Sequence, residues 1–500
     1  MTNKAICDID YNGRHIDTGK WPNSSLTLSP RVAAVWDIMG DKSITLRGGT
    51  GLFQGRLPLV FFTNMPTNSG MVQYQAQIGP STKYANLPAS VREKYASVSD
   101  ILAQFSDANG GIITSSSALK DKLVSMGYPA DIKPEDGTVP SAISAVDPDF
   151  KLPQVWKTSL AVDYRLPFEF PFTVTAEGIF NKTVNDVCIS DWSIPSVGGF
   201  ARFNGADNRP IYPSGFRTAT KAFMLENTSK GYGWSASLQL NAKPAEWIDL
   251  MAAYTHTAKK ELTSMPGSAA ESAFTYVPTT EGPNNIKLHN ALNLTPDRFV
   301  VSATINDKAN NHYGIVYETW RGGYNYSYVT VNDMNGDGYA YDAIYIPTDQ
   351  EVNSGEFRFV SDDDRDRFMA YVHKDDYLSE HQGEYAEGYS VYNPFVHRID
   401  FSYKHDFKFN IGETKHTLQI GADIKNVLNL FNSSWGVSKV MNTSYTASGA
   451  ARILKYEGVD ADGYATFSTP NSVSGDTQIW GRNHEIGQCW YMSVGAKYIF

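Results

Sequence analysis

Cysteine is scarce, with 3 in 500 residues. Cys7, Cys188 and Cys489 lie far apart and form no CxxC, so neither a disulfide framework nor a zinc site is implied. No run of 18 or more apolar residues occurs, which leaves no candidate transmembrane helix. Positive charge is in deficit, 43 Lys and Arg against 53 Asp and Glu for a net charge of −10. Without a clustered basic surface, nucleic acid is not expected as a partner. Catalytic signatures are missing too. The ten histidines include no HExxH, no GxSxG elbow is present, and adjacency of Asp375 and Asp376 is no sign of a catalytic pair. The expectation is that the chain is not an enzyme. Met1 to Asp10 contain no apolar h-region and no cleavage signal, so an exported protein of this kind would have lost its front end.

Aromatic residues are plentiful at 13%, with 29 Tyr and 10 Trp beside 40 Gly. That mixture suits the interfacial girdles and polar loops of a membrane barrel, and equally a secreted carbohydrate-binding β-protein. Periodicity is more informative. Leu160, Val162, Tyr164 and Leu166 alternate with Ala161, Asp163 and Arg165. Phe299, Val301, Ala303 and Ile305 alternate with Ser302, Thr304 and Asn306. Ile399, Phe401 and Tyr403 alternate with Arg398, Asp400 and Ser402, and Leu418, Ile420, Ala422 and Ile424 with Gln419, Gly421 and Asp423. A period of two with one apolar face fits strands between lipid and a polar lumen, and a soluble sandwich alternates likewise.

Connection lengths separate these readings. Short turns are expected at Met39–Lys42, Pro167–Phe170, Lys243–Ala245, Asp307–Asn311 and Phe409–Thr414. Long connections fall at 51–153, 184–230, 258–297, 322–394 and 429–488. Compact soluble domains rarely carry several structureless connections of this length, whereas outer-membrane barrels pair short periplasmic turns with long extracellular loops. The resulting strands lie near 26–38, 42–50, 154–166, 171–183, 231–243, 246–257, 298–306, 312–321, 395–408, 415–428 and 489–500. The expected fold is therefore all-β, about eleven antiparallel strands, the C-terminal half of a barrel of about 22. Two open edges in hydrocarbon would cost on the order of tens of kcal/mol, so the chain alone should not insert as a stable monomer.

The last segment places Trp490, Met492, Val494, Ala496, Tyr498 and Phe500 on one face. Trp490, Val494, Tyr498 and the terminal Phe500 resemble the signal read by the outer-membrane assembly machinery. The plain alternative is an ordinary edge strand. Ordered motifs add a family resemblance. Ser29-Pro-Arg-Val32 and Leu46-Arg-Gly-Gly-Thr-Gly-Leu-Phe-Gln-Gly-Arg-Leu-Pro58 come first. Asn332-Asp-Met-Asn-Gly-Asp-Gly338, Ile344-Tyr-Ile-Pro347 and Asp376-Tyr-Leu-Ser-Glu-His-Gln-Gly-Glu-Tyr385 follow. Then come His397-Arg-Ile-Asp400, Asp423-Ile-Lys-Asn-Val-Leu-Asn429 and Trp435-Gly436. Over residues 25 to 500 the sequence resembles Oar-like TonB-dependent receptors, relatives of the SusC/RagA transporters.

The resemblance implies bacterial outer-membrane localisation and active nutrient uptake. It also implies a signal peptide, a carboxypeptidase-regulatory-like domain, a Ton box and a plug, none of them visible here. The implied partners are membrane lipid, the TonB complex through the missing half, the assembly machinery and a surface lipoprotein. The alternatives are a secreted β-rich adhesin or carbohydrate-binding protein, and a passive porin. The ligand, whether glycan, peptide or chelate, is left open, with Trp192, Trp320, Tyr324 and Tyr326 able to stack on sugars or to fill loop interiors.

Three local motifs carry further expectations. Asp333, Asn335, Asp337 and Asp342 form the DxNxDG opening of a calcium loop, oxygens at alternate positions around a glycine turn. The twelfth position is Ile344 rather than Glu, so an ordinary Asp/Asn/Gly turn is the alternative. Gly48-Gly49-Thr50-Gly51 through Gly55 lacks the Lys-Ser/Thr of a phosphate loop and is expected to permit tight turns as a strand leaves the membrane. After Ser361, Phe368, Tyr371 and Val372 stand at helical spacing behind three Asp suited to a helix N-terminus. This predicts a solvated helix packed on its own loop, with a lid over a substrate cavity as the alternative. Short helices are expected near 89–105 and 116–126.

Overall fold

The computed structural model describes residues 2–57, 59–71, 99, 103, 105–106, 110–125, 130–131, 133–217, 219–265, 267–443 and 449–500. Eleven strands follow one another through a single antiparallel wall. They are β1 (Arg31–Asp37), β2 (Ile44–Gln54), β3 (Gln154–Arg165), β4 (Phe172–Asp191), β5 (Tyr232–Ala245) and β6 (Ile248–Glu261). β7 (Asp297–Asn306), β8 (Asn311–Arg321), β9 (Val396–Ile411), β10 (Thr414–Lys425) and β11 (Tyr491–Ile499) complete it. Each strand pairs with its predecessor, and β1 and β11 are the two free edges, so the wall is not closed.

Four of the five short connections lie where the sequence placed them, whereas β5 runs through the expected Lys243–Ala245 turn and the chain reverses at Glu246–Trp247; Asx-type turns build two of them. Asp37 Oδ1 accepts from the Gly40 and Lys42 amides at 2.9 and 3.1 Å. Asp307 Oδ1 accepts from Ala309 and Asn311 at 2.8 and 2.9 Å. In each case a carboxylate replaces ladder partners that the turning backbone lacks.

Register then sorts the side chains. Ala242 lies opposite Leu250, Leu250 opposite Ala303, and Ala303 opposite Ile315. The row continues through Phe401, Ile424 and Met492. Seven strands thus contribute one unbroken apolar row to one face. Thr45, Asp163, Thr175 and Gln239 form a row of the opposite, polar face.

The long connections are not structureless, which corrects the sequence-based expectation. β4 runs on to Asp191, where it pairs with Lys221–Thr228, itself parallel to Ala142–Val146. Ser327–Thr330, Ala450–Val459, Ala465–Ser468 and Arg358–Phe359 make a separate four-stranded sheet. Helix Asp362–Lys374 starts at Ser361, whose side chain accepts from the Asp364 amide, and buries Phe368, Met369, Tyr371 and Val372. Those residues join a core with Tyr328, Ile344, Ile346, Ile453 and Phe467. The helix therefore packs into a core shared by several connections rather than onto its own loop alone. A core of this size supplies the burial that isolated loops lack. The expected 116–126 helix is present as Ser116–Ser125, and the 89–105 segment lies almost wholly outside the described residues.

The glycine run also departs from expectation. Gly48, Gly49 and Gly51 sit inside β2 rather than at a turn. A Cβ on Gly51 would stand 2.7 Å from the Pro30 carbonyl oxygen, and one on Gly49 3.1 Å from the Ala33 side chain. Close approach of β1 and of the Ser29-Pro30 segment leading into it is the reason for glycine there.

Candidate functional site: a two-faced wall beneath a folded cap

The apolar face of the wall is exposed along its whole width. Leu160, Leu238, Leu250, Ile315, Ile420 and Val494 are all large apolar side chains open to the surroundings. Near the capped rim this face ends in Trp156, Phe180, Tyr232 and Trp234, and near the short turns in Phe168, Trp247, Phe407, Phe409 and Tyr498. Rings at both borders of an apolar band are what two lipid–water interfaces select.

The opposite face carries ion pairs. Arg47 Nε is 3.0 Å from Asp163, Arg47 Nη1 3.5 Å from Glu177, and Thr175 donates to Asp163 at 2.7 Å. Arg298 meets Glu318 at 2.6 Å, and Asp406 takes His312 and Gln419 at 3.0 and 2.8 Å. These residues alternate with the apolar ones, so lipid cannot be on both sides.

The motifs quoted from distant parts of the sequence meet in space. Asn426 has a left-handed backbone, φ 54°. Its amide donates to the Gly436 and Gln488 carbonyls at 3.0 and 2.8 Å, and its N–H reaches Asp400 at 2.9 Å. Arg398 donates to the same Gly436 carbonyl at 3.0 Å. Asn429 donates to the Trp435 carbonyl at 3.1 Å and accepts from the Trp490 amide at 3.1 Å. The His397–Asp400, Asp423–Asn429 and Trp435–Gly436 motifs are therefore one junction fastening the loop after β10 to the wall. Tyr345–Ile346 likewise pairs with Glu384–Tyr385, joining two further motifs.

Sequence reading missed the centre of the cap. Arg209 is fully buried, its Nε donating to Asp207 at 2.8 Å, Nη2 to the Ala343 carbonyl at 2.7 Å, and Nη1 standing 3.3 Å from Asp342. Tyr385 donates to Asp207 at 2.9 Å. Burial alone would lower the guanidinium pKa, but Asp207 and Asp342 more than reverse it and raise it. Two connections, the one after β4 and the one after β8, are thereby tied to one cation. Nothing in the local string Ala206-Asp-Asn-Arg209 announces burial, because the partners are 134 residues away for Ala343.

Asp333, Asn335, Asp337 and Asp342 do share one loop. Asp333 accepts from the Gly336 and Gly338 amides at 2.8 Å each. Asn335 accepts from Asp337 N–H at 3.1 Å, Asp337 from Tyr339 N–H at 2.8 Å, and Asp342 from Met334 N–H at 2.9 Å. Asp337 and Asp342 are buried. Burial first, and then the neighbouring Asp342 and Asp333 charges, raise the Asp337 carboxyl well above the usual range. Burial raises Asp342 also, against the opposing pull of Arg209. Much of the oxygen capacity is used by backbone amides, and among the described residues no three His, Cys, Asp or Glu side chains stand together as a metal set.

At the chain end, Val494, Tyr498 and Phe500 are exposed on the apolar face, with Trp490 just ahead of β11. Tyr498 stacks on His416 at 5.6 Å between centroids and bonds its Nδ1 at 2.6 Å. Tyr324 and Tyr326 belong to the cap core, as ring neighbours 5.7 Å apart. Trp320 stands under the Arg398 guanidinium at 5.2 Å. Trp192 donates to Glu226 at 3.1 Å.

A two-faced antiparallel wall with an apolar band, two aromatic borders and a cap on one rim is an outer-membrane β-barrel structure. No helix among the described residues is long and apolar enough to cross a membrane, so strands do the crossing. The family model for the outer membrane beta barrel domain matches residues 5–455, and the chain belongs to that family. Its place is the bacterial outer membrane. No curated protein matches it.

Among solved structures it is similar to the outer membrane transporter YddB from Escherichia coli, at 11% identity and TM-score 0.39, covering 95% of this chain and 41% of that one. BauA, the ferric preacinetobactin receptor from Acinetobacter baumannii, is 10% identical with TM-score 0.31, covering 94% and 36%. The FrpB iron transporter from Neisseria meningitidis is 9% identical with TM-score 0.31, covering 81% and 35%. The chain thus spans less than half the length of each of these three.

Proposed function

We propose that this chain forms part of the wall and external cap of a TonB-dependent outer-membrane transporter of the Oar-like kind, related to SusC/RagA. Its role is ligand capture and passage rather than catalysis. The observation that carries the reading is the continuous apolar face backed by a charged inner face beneath a folded cap. A passive pore needs an open mouth, whereas here a cored assembly of loops stands over one rim. The wall adds a topological argument. Eleven antiparallel strands make β1 and β11 run the same way, so a second copy of this wall would meet it with parallel strands. Antiparallel closure takes an odd number of further strands, and eleven more give the roughly 22 of the large plugged transporters.

In this reading TonB acts through a plug and Ton box carried by the complementary part, the assembly machinery recognises the strand ending in Phe500, and a surface lipoprotein covers the cap. The test is the reading frame ahead of Met1, together with uptake. A plug and Ton box in frame, and ligand accumulation that stops when TonB is deleted, support transport. An intact promoter and start site directly ahead of Met1, or uptake indifferent to TonB, overturn it.

Calcium in the 333–342 loop is proposed alongside, on the buried Asp337 and Asp342 carboxyls. Calorimetric calcium binding lost in Asp337→Ala supports it, and absence of any heat removes it.

A further inference from the structure

A cleft of about 590 Å³ lies between the cap and the wall rim, lined among others by Arg321, Lys374, His381, Tyr392, Asn393, Phe395 and Trp480. Its position decides what can reach it. Arg321 lies opposite Asp297 in the ladder, two residues beyond the Phe299–Thr319 pair, which puts it on the apolar face of the wall. Asp297 accepts from Tyr254 at 2.6 Å and from Arg321 at 2.5 Å, and faces His256 at 2.8 Å. The Arg321 guanidinium lies 5.5 Å from the Tyr392 ring centre and 5.8 Å from that of Phe395. Lys260, opposite Tyr232 on the same face, pairs with Glu387 of the cleft. The cleft therefore opens above the lipid-facing band and not into the lumen.

Its chemistry is equally particular. Asn393 is buried at 7% exposure, and its side-chain oxygen has no hydrogen-bond partner. A buried acceptor without a donor is destabilising unless something outside the chain supplies the donor. Phe395 is half exposed at 50%, and with Tyr392 and Trp480 it offers ring faces. Arg321 and Lys374 are outnumbered by Asp375, Asp376, Glu380 and Glu387 in the lining. Carboxylates accept hydroxyl donors. Aromatic faces, hydroxyl acceptors and a location at the outer border of the apolar band coincide.

We propose that this cleft holds the saccharide headgroup of an outer-leaflet glycolipid, with sugar rings against Tyr392 and Phe395, a hydroxyl donating to Asn393, and acyl chains lying down the wall along Phe299 and Val301. It rests on the outer-membrane placement and is independent of whether the protein transports anything.

The test uses the complete barrel that contains this chain, extracted from the outer membrane in mild detergent. Native mass spectrometry follows retention of rough lipopolysaccharide bearing core sugars, of lipid A without them, and of the free core oligosaccharide. The core-bearing glycolipid is expected to be retained best, and Asn393→Ala and Phe395→Ala each to weaken it by about tenfold, near 1.4 kcal/mol. Phe395 is exposed enough for its variant to fold, and Gln239→Ala on the inner face serves as the unaffected control. Equal retention of lipid A lacking the core sugars overturns the proposal, as does indifference to both variants. Binding of the free oligosaccharide as tightly as the glycolipid also overturns it, since the cleft would then serve soluble sugars. None of these outcomes alters the TonB dependence of uptake, so the two proposals fail separately.

Discussion

Leu238 and Gln239 are neighbours in the middle of β5 and test the two-faced wall directly. Leu238 lies between Ala176 and Tyr254 in the ladder and is 49% exposed, while Gln239 lies between Thr175 and Ala253 on the other face. Replacing Leu238 by Arg puts a guanidinium into hydrocarbon well inside the aromatic borders. Such a substitution costs a barrel about 2–4 kcal/mol near the midplane. At about 1.4 kcal/mol per factor of ten, the folding equilibrium falls roughly 30- to 700-fold. Gln239→Arg places the same charge among Asp163, Thr175 and other polar groups, where it stays hydrated and costs under about 1 kcal/mol. The assay is urea unfolding of the complete barrel that contains this chain, in phospholipid vesicles, monitored by tryptophan fluorescence. An apolar face left in water would not give this asymmetry. Equal costs for the two variants, or the larger cost at Gln239, would refute the assignment of the lipid face.

Three further outcomes follow from the cap and the inner face. Arg209→Met leaves Asp207 and Asp342 buried without their cation and should destabilise the cap by about 3–5 kcal/mol, read as protease cleavage within 322–394 while the wall strands stay protected. Asp163→Asn removes a pair whose side chains are 40% and 29% exposed, and the urea midpoint should move by less than about 1 kcal/mol equivalent. The Asp337 carboxyl is raised in the folded cap above its ordinary 3.8, so the folded form keeps a proton that the unfolded chain releases. In chelator, cap stability should rise as pH falls from neutral toward that ordinary value, and Asp337→Asn should flatten the slope. Hydrogen exchange of Met334 and Tyr339 measures it, and a slope of opposite sign would remove the assignment.

Much of the wall was legible in the sequence because a strand records its environment locally. Phe401 and Asp400 differ in face simply by being adjacent, so alternation in 395–408 announced two solvents before any pairing was known. Turn chemistry at Asp37 and Asp307 fixed where the chain reverses. The glycine run in β2 was misread because a strand interior and a turn both welcome glycine, and only the approach of Pro30 and Ala33 tells them apart. The cap was read as separate loops bearing short helices for a related reason. Its stabilising contacts join Arg209 to Ala343 and Tyr328 to Asp375, the latter at 2.6 Å, and such separations leave no period in the string. The ordered motifs were visible as a resemblance, but their convergence on Asn426, Gly436 and Arg398 was not.

The sequence by itself determined an all-β wall with one apolar and one polar face, short turns on one side and long connections on the other. Those properties reside in alternation and turn residues, which act over a few positions. Tertiary structure alone decided that the long connections fold into one cored cap, and that Asp337 and Asp342 are buried, Asp342 beside a buried arginine. It also decided that the cleft beneath the cap faces lipid. Each depends on residues brought together from more than a hundred positions apart, where burial and charge compensation are set by neighbours in space.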